Sequence, residues 1–98
     1  MLKGKKISTF QDLKDFLIQY CKEKNAHIYL FGSRAKDESS VYSDIDIGID
    51  PTSDNIDFSY LRFLLEESNL PQKVDLIDMR KVSPEFREEI EKTGEKWL

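Results

Sequence analysis

The sequence predicts an α+β domain with a three-stranded mixed sheet packed against helices, in the order helix, strand, short helix, strand, helix, strand, helix. Three observations carry this. Short apolar runs at 27–31 and 73–79 have the length and composition of strands. The stretch "SDIDIGID" at 43–50 alternates with period two. Three other stretches repeat their apolar residues at three- and four-residue spacing. With 98 residues, one domain spanning 1–98 is expected.

The first helix is "STFQDLKDFLIQYCKEKN", where Phe10, Leu13, Phe16, Leu17, Tyr20 and Cys21 form the apolar stripe. Ser8 with Gln11 gives a capping-box signature, and Asn25 is the expected stop. "HIYLF" is wholly apolar, as expected of a central strand covered on both faces. Gly32 closes it, and Ser33 begins a short turn or helix. The alternating strand ends at Pro51 and the turn "TSDN". A second helix follows in "IDFSYLRFLLEESN", with Phe58, Leu61, Leu64 and Leu65 facing the core. "KVDLIDM" is the third strand. Ser83 as N-cap and Pro84 in the first turn open the last helix, Gly94 ends it, and "EKWL" reads as a tail.

Composition narrows the function classes. Net charge is −4, which argues against a general nucleic-acid binder whose affinity would rest on Lys and Arg. No apolar run approaches the ~20 residues of a membrane span, and the basic "MLKGKKIS" lacks the apolar segment of a secretory signal. The one cysteine, Cys21, has no internal disulfide partner, which suits a reducing cytoplasm.

The chemistry lies in the strands. Along "DIDIGID", Ile45, Ile47 and Ile49 share one face, and Asp44, Asp46, Gly48 and Asp50 the other. Asp44 and Asp46 then stand about 6.6–6.8 Å apart at Cα. Carboxylates that close repel one another, and a hard cation such as Mg²⁺ or Mn²⁺ removes the conflict. A solvated acidic face is the plain alternative for a lone D-x-D. An EF-hand loop is not: counted from Asp44, its sixth and twelfth positions would be Ile49 and Asn55 in place of Gly and Glu. "FGSRA" adds a second element. Gly32 allows close approach of a ligand, Ser33 offers a hydroxyl at a helix start suited to phosphate, and Arg34 and Lys36 bring positive charge. Asp75 is the third. It is an acid inside an apolar run, which is costly unless paired or metal-bound. If its strand lies beside "DIDIGID", a carboxylate triad results. Asp78, nearer the strand end, is the weaker candidate, explained by solvent.

Gly32-Ser33, the gap to Asp44-x-Asp46, and the later Asp75 together resemble the DNA-polymerase-beta type of nucleotidyltransferase, and the short length is similar to its minimal MNT branch. The resemblance implies the polymerase-beta-like fold. It implies that Asp44, Asp46 and Asp75 hold two Mg²⁺ ions, that Asp75 helps deprotonate an attacking hydroxyl, and that Gly32 and Ser33 hold the phosphates of ATP or another nucleoside triphosphate. Arg34 is read from its position as the better phosphate contact than Lys36, with an exposed solvated Arg as the alternative. The chain departs from many relatives in carrying Lys36-Asp37 where they carry Arg-Gly. The resemblance further implies a cytoplasmic antitoxin that transfers AMP to a tyrosine of a small helical HEPN protein, as part of a homodimer or hetero-oligomer. An aminoglycoside-type small-molecule transferase and a non-catalytic docking module are the alternatives. His27 is expected at a surface or edge, and Tyr20, Phe58 and Phe63 in the core or against a partner. Trp97 is expected over the sheet or against a partner, Tyr42 near the site, and "EFREEIEK" as a solvated face.

Overall fold

The computed structural model describes residues 7–32 and 44–98. The element order is α1 (Phe10–Glu23), β1 (His27–Phe31), β2 (Ile45–Asp50), α2 (Phe58–Glu66), β3 (Val74–Asp78), α3 (Pro84–Thr93) and β4 (Glu95–Lys96). The short helix expected after Gly32 lies outside the described residues.

The helices begin where their side chains can satisfy the first free N–H groups. Thr9, not Ser8, caps α1: its hydroxyl accepts from the Asp12 N–H at 3.0 Å, and the Asp12 carboxylate accepts from the Thr9 and Ser8 N–H groups. The capping box is thus Thr9/Asp12, one residue later than the expected Ser8/Gln11. Gln11 instead donates to Asp15 one turn on. Asn25 takes a left-handed φ of 56° just past the helix, as a stop residue should. Asp57 caps α2 through the Tyr60 N–H, and Ser83 caps α3 through the Phe86 N–H with Pro84 beside it.

The sheet order is β3-β2-β1-β4, with β1 antiparallel to β2 and β4, and β2 parallel to β3. The "EKWL" tail is therefore not a tail. Glu95 and Lys96 pair with Leu30 and Tyr29, and the Trp97 N–H continues the contact to the Ile28 carbonyl. Gly94 makes this possible: a Cβ there would stand 2.5 Å from the Ile90 carbonyl oxygen and 3.0 Å from that of Leu30. Trp97 itself meets Phe10 edge-on.

Each sheet face has its own apolar cluster. On one, Ile45, Ile47 and Ile49 join Ile28, Leu30 and Leu76 under Leu13, Leu17 and Cys21 of α1 and Leu61 and Leu65 of α2. Burial pushes the Cys21 thiol up to about 12, so it is an apolar filler and not a nucleophile. On the other face, Tyr29 and Met79 pack against Ile90 of α3, with Phe31 and Ile77 at the margin. Covering on both sides explains why "HIYLF" carries no polar alternation. Glu85, Glu88 and Glu89 are exposed as expected of a solvated helix, but Arg87 turns inward to Asp50. Among the described residues, no helix is long and apolar enough to cross a membrane.

Asp78 is not explained by solvent. It is 6% exposed, and Arg80 reaches back around the turn to bind its carboxylate at 2.9 Å through Nη2 while the Arg80 N–H caps the other oxygen. The Arg80 side-chain hydrogen bond holds the Asp78 carboxyl below its ordinary range, against the opposing effect of burial. The folded value lies below the unfolded one, so the stabilisation is fully present above the unfolded pKa of about 3.9 and is lost as pH falls through the folded value. Asp78→Asn is expected to cost about 1–3 kcal/mol at neutral pH. In urea titrations its deficit against the wild type should shrink as the pH is taken below ~4. An equal deficit at both pH values would show that charge pairing is not the cause.

Candidate active site

The strand register builds the site. Phe31 of β1, Asp46 of β2 and Asp75 of β3 are successive partners in one row across the sheet. In-register neighbours on adjacent strands stand about 4.8 Å apart, so Asp46 and Asp75 are closer to each other than Asp46 is to Asp44. Asp44 precedes β2 and is exposed, Asp46 is half-buried and Asp75 is exposed. The parallel pairing of β2 with β3 is the condition under which Asp75 joins the pair, and it is met.

Gly32 follows Phe31 and bends back over this row with φ of 78°. A Cβ on Gly32 would stand 2.4 Å from Oδ2 of Asp46. The glycine is thus required twice, by its left-handed backbone and by the carboxylate lying against its Cα. Gly32 and Asp46 of the D-x-D motif, separated in sequence, lie against each other here.

Asp46 is held above the ordinary carboxylate range, first by burial and then by the charges of Asp75 and Asp44. The strand aspartates fall into two groups. Asp50 is bound by Arg87 and Asp78 by Arg80. Among the described residues, no cation forms an ion pair with Asp44, Asp46 or Asp75. Nor do any three His, Cys, Asp or Glu side chains among the described residues converge into a ready-made metal cage. Asp46 and Asp75 share a row, Asp44 lies just before β2, and both neighbours act repulsively on Asp46. Their oxygen donors, the repulsion of Asp46 by Asp75 and Asp44, and the glycine cradle against Asp46 fit a hard divalent cation.

Beyond Asp75, away from Gly32, a cleft of about 380 Å³ opens at the sheet edge between α2 and β3, lined in part by Arg62, Glu66, Gln72 and Lys73. Ser33, Arg34, Lys36 and Tyr42 lie outside the described residues. His27 is at a strand start with Nδ1 3.2 Å from the Leu98 carbonyl oxygen, remote from the aspartate row. Tyr20 and Phe58 pack on the core, whereas Phe63 is 58% exposed. Sequence reasoning missed the Asp50–Arg87 pair, since a separation of 37 residues leaves no local signal. The Asp78–Arg80 pair had one, an arginine two residues past the acid in a turn.

A mixed sheet with an in-register aspartate pair, a preceding D-x-D partner and a glycine turn against it defines a nucleotidyltransferase type of domain. Residues 11–97 match the family described as polymerase beta, nucleotidyltransferase, and the chain belongs to that family. It is 40% identical over 68 residues to the probable protein adenylyltransferase MntA of Haemophilus influenzae (strain Rd), covering 66% of this chain and 59% of the relative. The chain thus spans about three fifths of the length of the curated relative it matches. Two crystal structures share the fold. One, a toxin-antitoxin with AMP-PNP, has a TM-score of 0.62 at 24% identity, covering 87% of this chain and 72% of the other. The second, a mutant MntA-HpeT toxin-antitoxin, has a TM-score of 0.59 at 22% identity, covering 87% and 71%.

Proposed function

We propose that this chain is a Mg²⁺-dependent nucleotidyltransferase that moves AMP from ATP onto a tyrosine hydroxyl of a small helical HEPN partner, and so acts as an antitoxin. The observation that carries the reading is the Asp46–Asp75 pair set in register under the Gly32 turn, with Asp46 held above its ordinary range. The name of the Haemophilus relative, a protein adenylyltransferase, supports ATP as donor and a protein as acceptor. The two toxin-antitoxin structures support the partnership.

Asp44, Asp46 and Asp75 would hold the Mg²⁺ ions, which supply positive charge to offset that of the triphosphate and of the transition state. Gly32 presents its backbone without a side chain in the way, and Ser33 and Arg34 would contact the phosphates. Asp75, beside the open cleft, faces the side from which an acceptor can enter and takes up the proton of the attacking hydroxyl. The acceptor oxygen forms a bond to the α-phosphorus, the bond from that phosphorus to the bridging oxygen breaks, and pyrophosphate leaves.

The test is transfer of label from α-labelled ATP, with Mg²⁺, into an extract of the source cells, with Asp46→Asn as control. Label on one small protein, with wild type only, is the expected result. Label on an added aminoglycoside would move the activity to small-molecule transfer. No label with any nucleotide or with Mn²⁺ would leave a docking module.

A further inference from the structure

The aspartate row ends, on the β1 side, in an aromatic corner that the proposed chemistry does not use. Phe31 is the register partner of Asp46 and immediately precedes Gly32. Phe86, in the first turn of α3, meets it edge-to-face with ring centroids 5.7 Å apart. Phe31 is half-buried and Phe86 is 38% exposed. Arg87, the next residue, locks this end of α3 to the sheet, because its guanidinium binds Asp50 and the Met79 carbonyl. The corner is therefore held rigidly beside the glycine turn and the carboxylates. Asp75 and the open cleft lie at the opposite end of the row.

Resting on the nucleotidyltransferase reading above, we infer that the Phe31–Phe86 corner is the platform on which the base of the nucleoside triphosphate stacks. The phosphates belong at Gly32 and the acceptor at the Asp75 side, which leaves the β1–α3 side for the nucleoside. An aromatic face within reach of a charged triphosphate site is what a planar base uses for sequence-tolerant stacking. The corner offers ring surface and no hydrogen-bonding side chain of its own. It therefore contributes affinity for any base and little choice among bases.

The test is binding of ATP and of inorganic tripolyphosphate, each with Mg²⁺, to wild type, Phe86→Ala and Phe86→Leu, read by calorimetry after circular dichroism confirms folding. Phe86→Ala should weaken ATP about tenfold, within the range for loss of one stacking contact, and leave tripolyphosphate within twofold. Phe86→Leu, which keeps apolar bulk but no ring, should bind ATP almost as poorly as the alanine variant. Equal weakening of both ligands would assign Phe86 to positioning the Gly32 turn and overturn the platform. Unchanged ATP affinity would overturn it as well, as would recovery of full affinity by leucine. Wild type that binds tripolyphosphate but not ATP more tightly removes the base site alone. Wild type that binds neither removes the nucleotidyltransferase reading and this inference with it.

Discussion

Asp46→Asn should abolish nucleotide transfer without loosening the fold. We expect activity to fall ~10³-fold or more, beyond the ~10²–10³ that follows removal of one well-placed hydrogen-bond donor, because a charged, cation-binding carboxylate flanked by two others is lost. The melting temperature in chelator should equal or exceed that of wild type by a few degrees. The reasoning is electrostatic. In the folded protein Asp46 is held above its ordinary range by burial, Asp75 and Asp44. Its folded pKa lies above the unfolded value, so at neutral pH its charge opposes folding, and stability recovers as pH falls through the folded value. Asparagine removes that charge and keeps the shape. Each kcal/mol so recovered is worth roughly 4–8 °C in a domain of this size. Mg²⁺ with ATP should then raise the melting temperature of wild type by mass action and leave the variant where it was. An active Asp46→Asn would sink the metal assignment. A variant that melts well below wild type would show that Asp46 serves the fold.

The second large effect is expected at Gly32. Gly32→Ala places a methyl group where Oδ2 of Asp46 now lies, 2.4 Å from the new Cβ, on a backbone at φ of 78°. The left-handed conformation alone costs an alanine about 1–2 kcal/mol. The carboxylate can rotate away, but it then leaves the position from which it works with Asp75. A displacement on the order of 1 Å at a reacting centre is worth about a hundredfold in rate, so we expect a loss of that size or greater, together with a lower melting temperature. Transfer assays and thermal melts on the same samples check this. The pairing of outcomes separates the two sites: Asp46→Asn loses activity and keeps stability, whereas Gly32→Ala loses both. Full activity in Gly32→Ala would show that the turn does not support the aspartate row.

Much of the protein is legible in its sequence because the signals are local. The period-two isoleucines of "DIDIGID" fix which face of β2 is core, since a one-residue slip would bury the aspartates. The capping residues Ser83 and Pro84 and the stop at Gly94 set α3, because unsatisfied N–H groups and excluded side-chain volume act within one turn. Asp44 and Asp46 stand out as a D-x-D pair on the polar face of an alternating strand, and Asp75 as an acid inside an apolar run.

Other features were decided only by the tertiary structure. Whether Asp75 stands against Asp46 depends on β3 pairing parallel to β2, and no property of either strand alone dictates its neighbour. "EKWL" has too little apolar content to announce a strand, and it becomes β4 only because Gly94 lets it approach Leu30. Asp50 shares the polar face of "DIDIGID" with Asp44 and Asp46, and Asp78 shares β3 with Asp75. Asp78 and Asp50 are set apart by Arg80 and Arg87, which neutralise them, and for Asp50 that partner is 37 residues away. Charge, periodicity and backbone conformation are written in neighbouring residues. Which charges are cancelled and which are left facing one another is set by long-range packing.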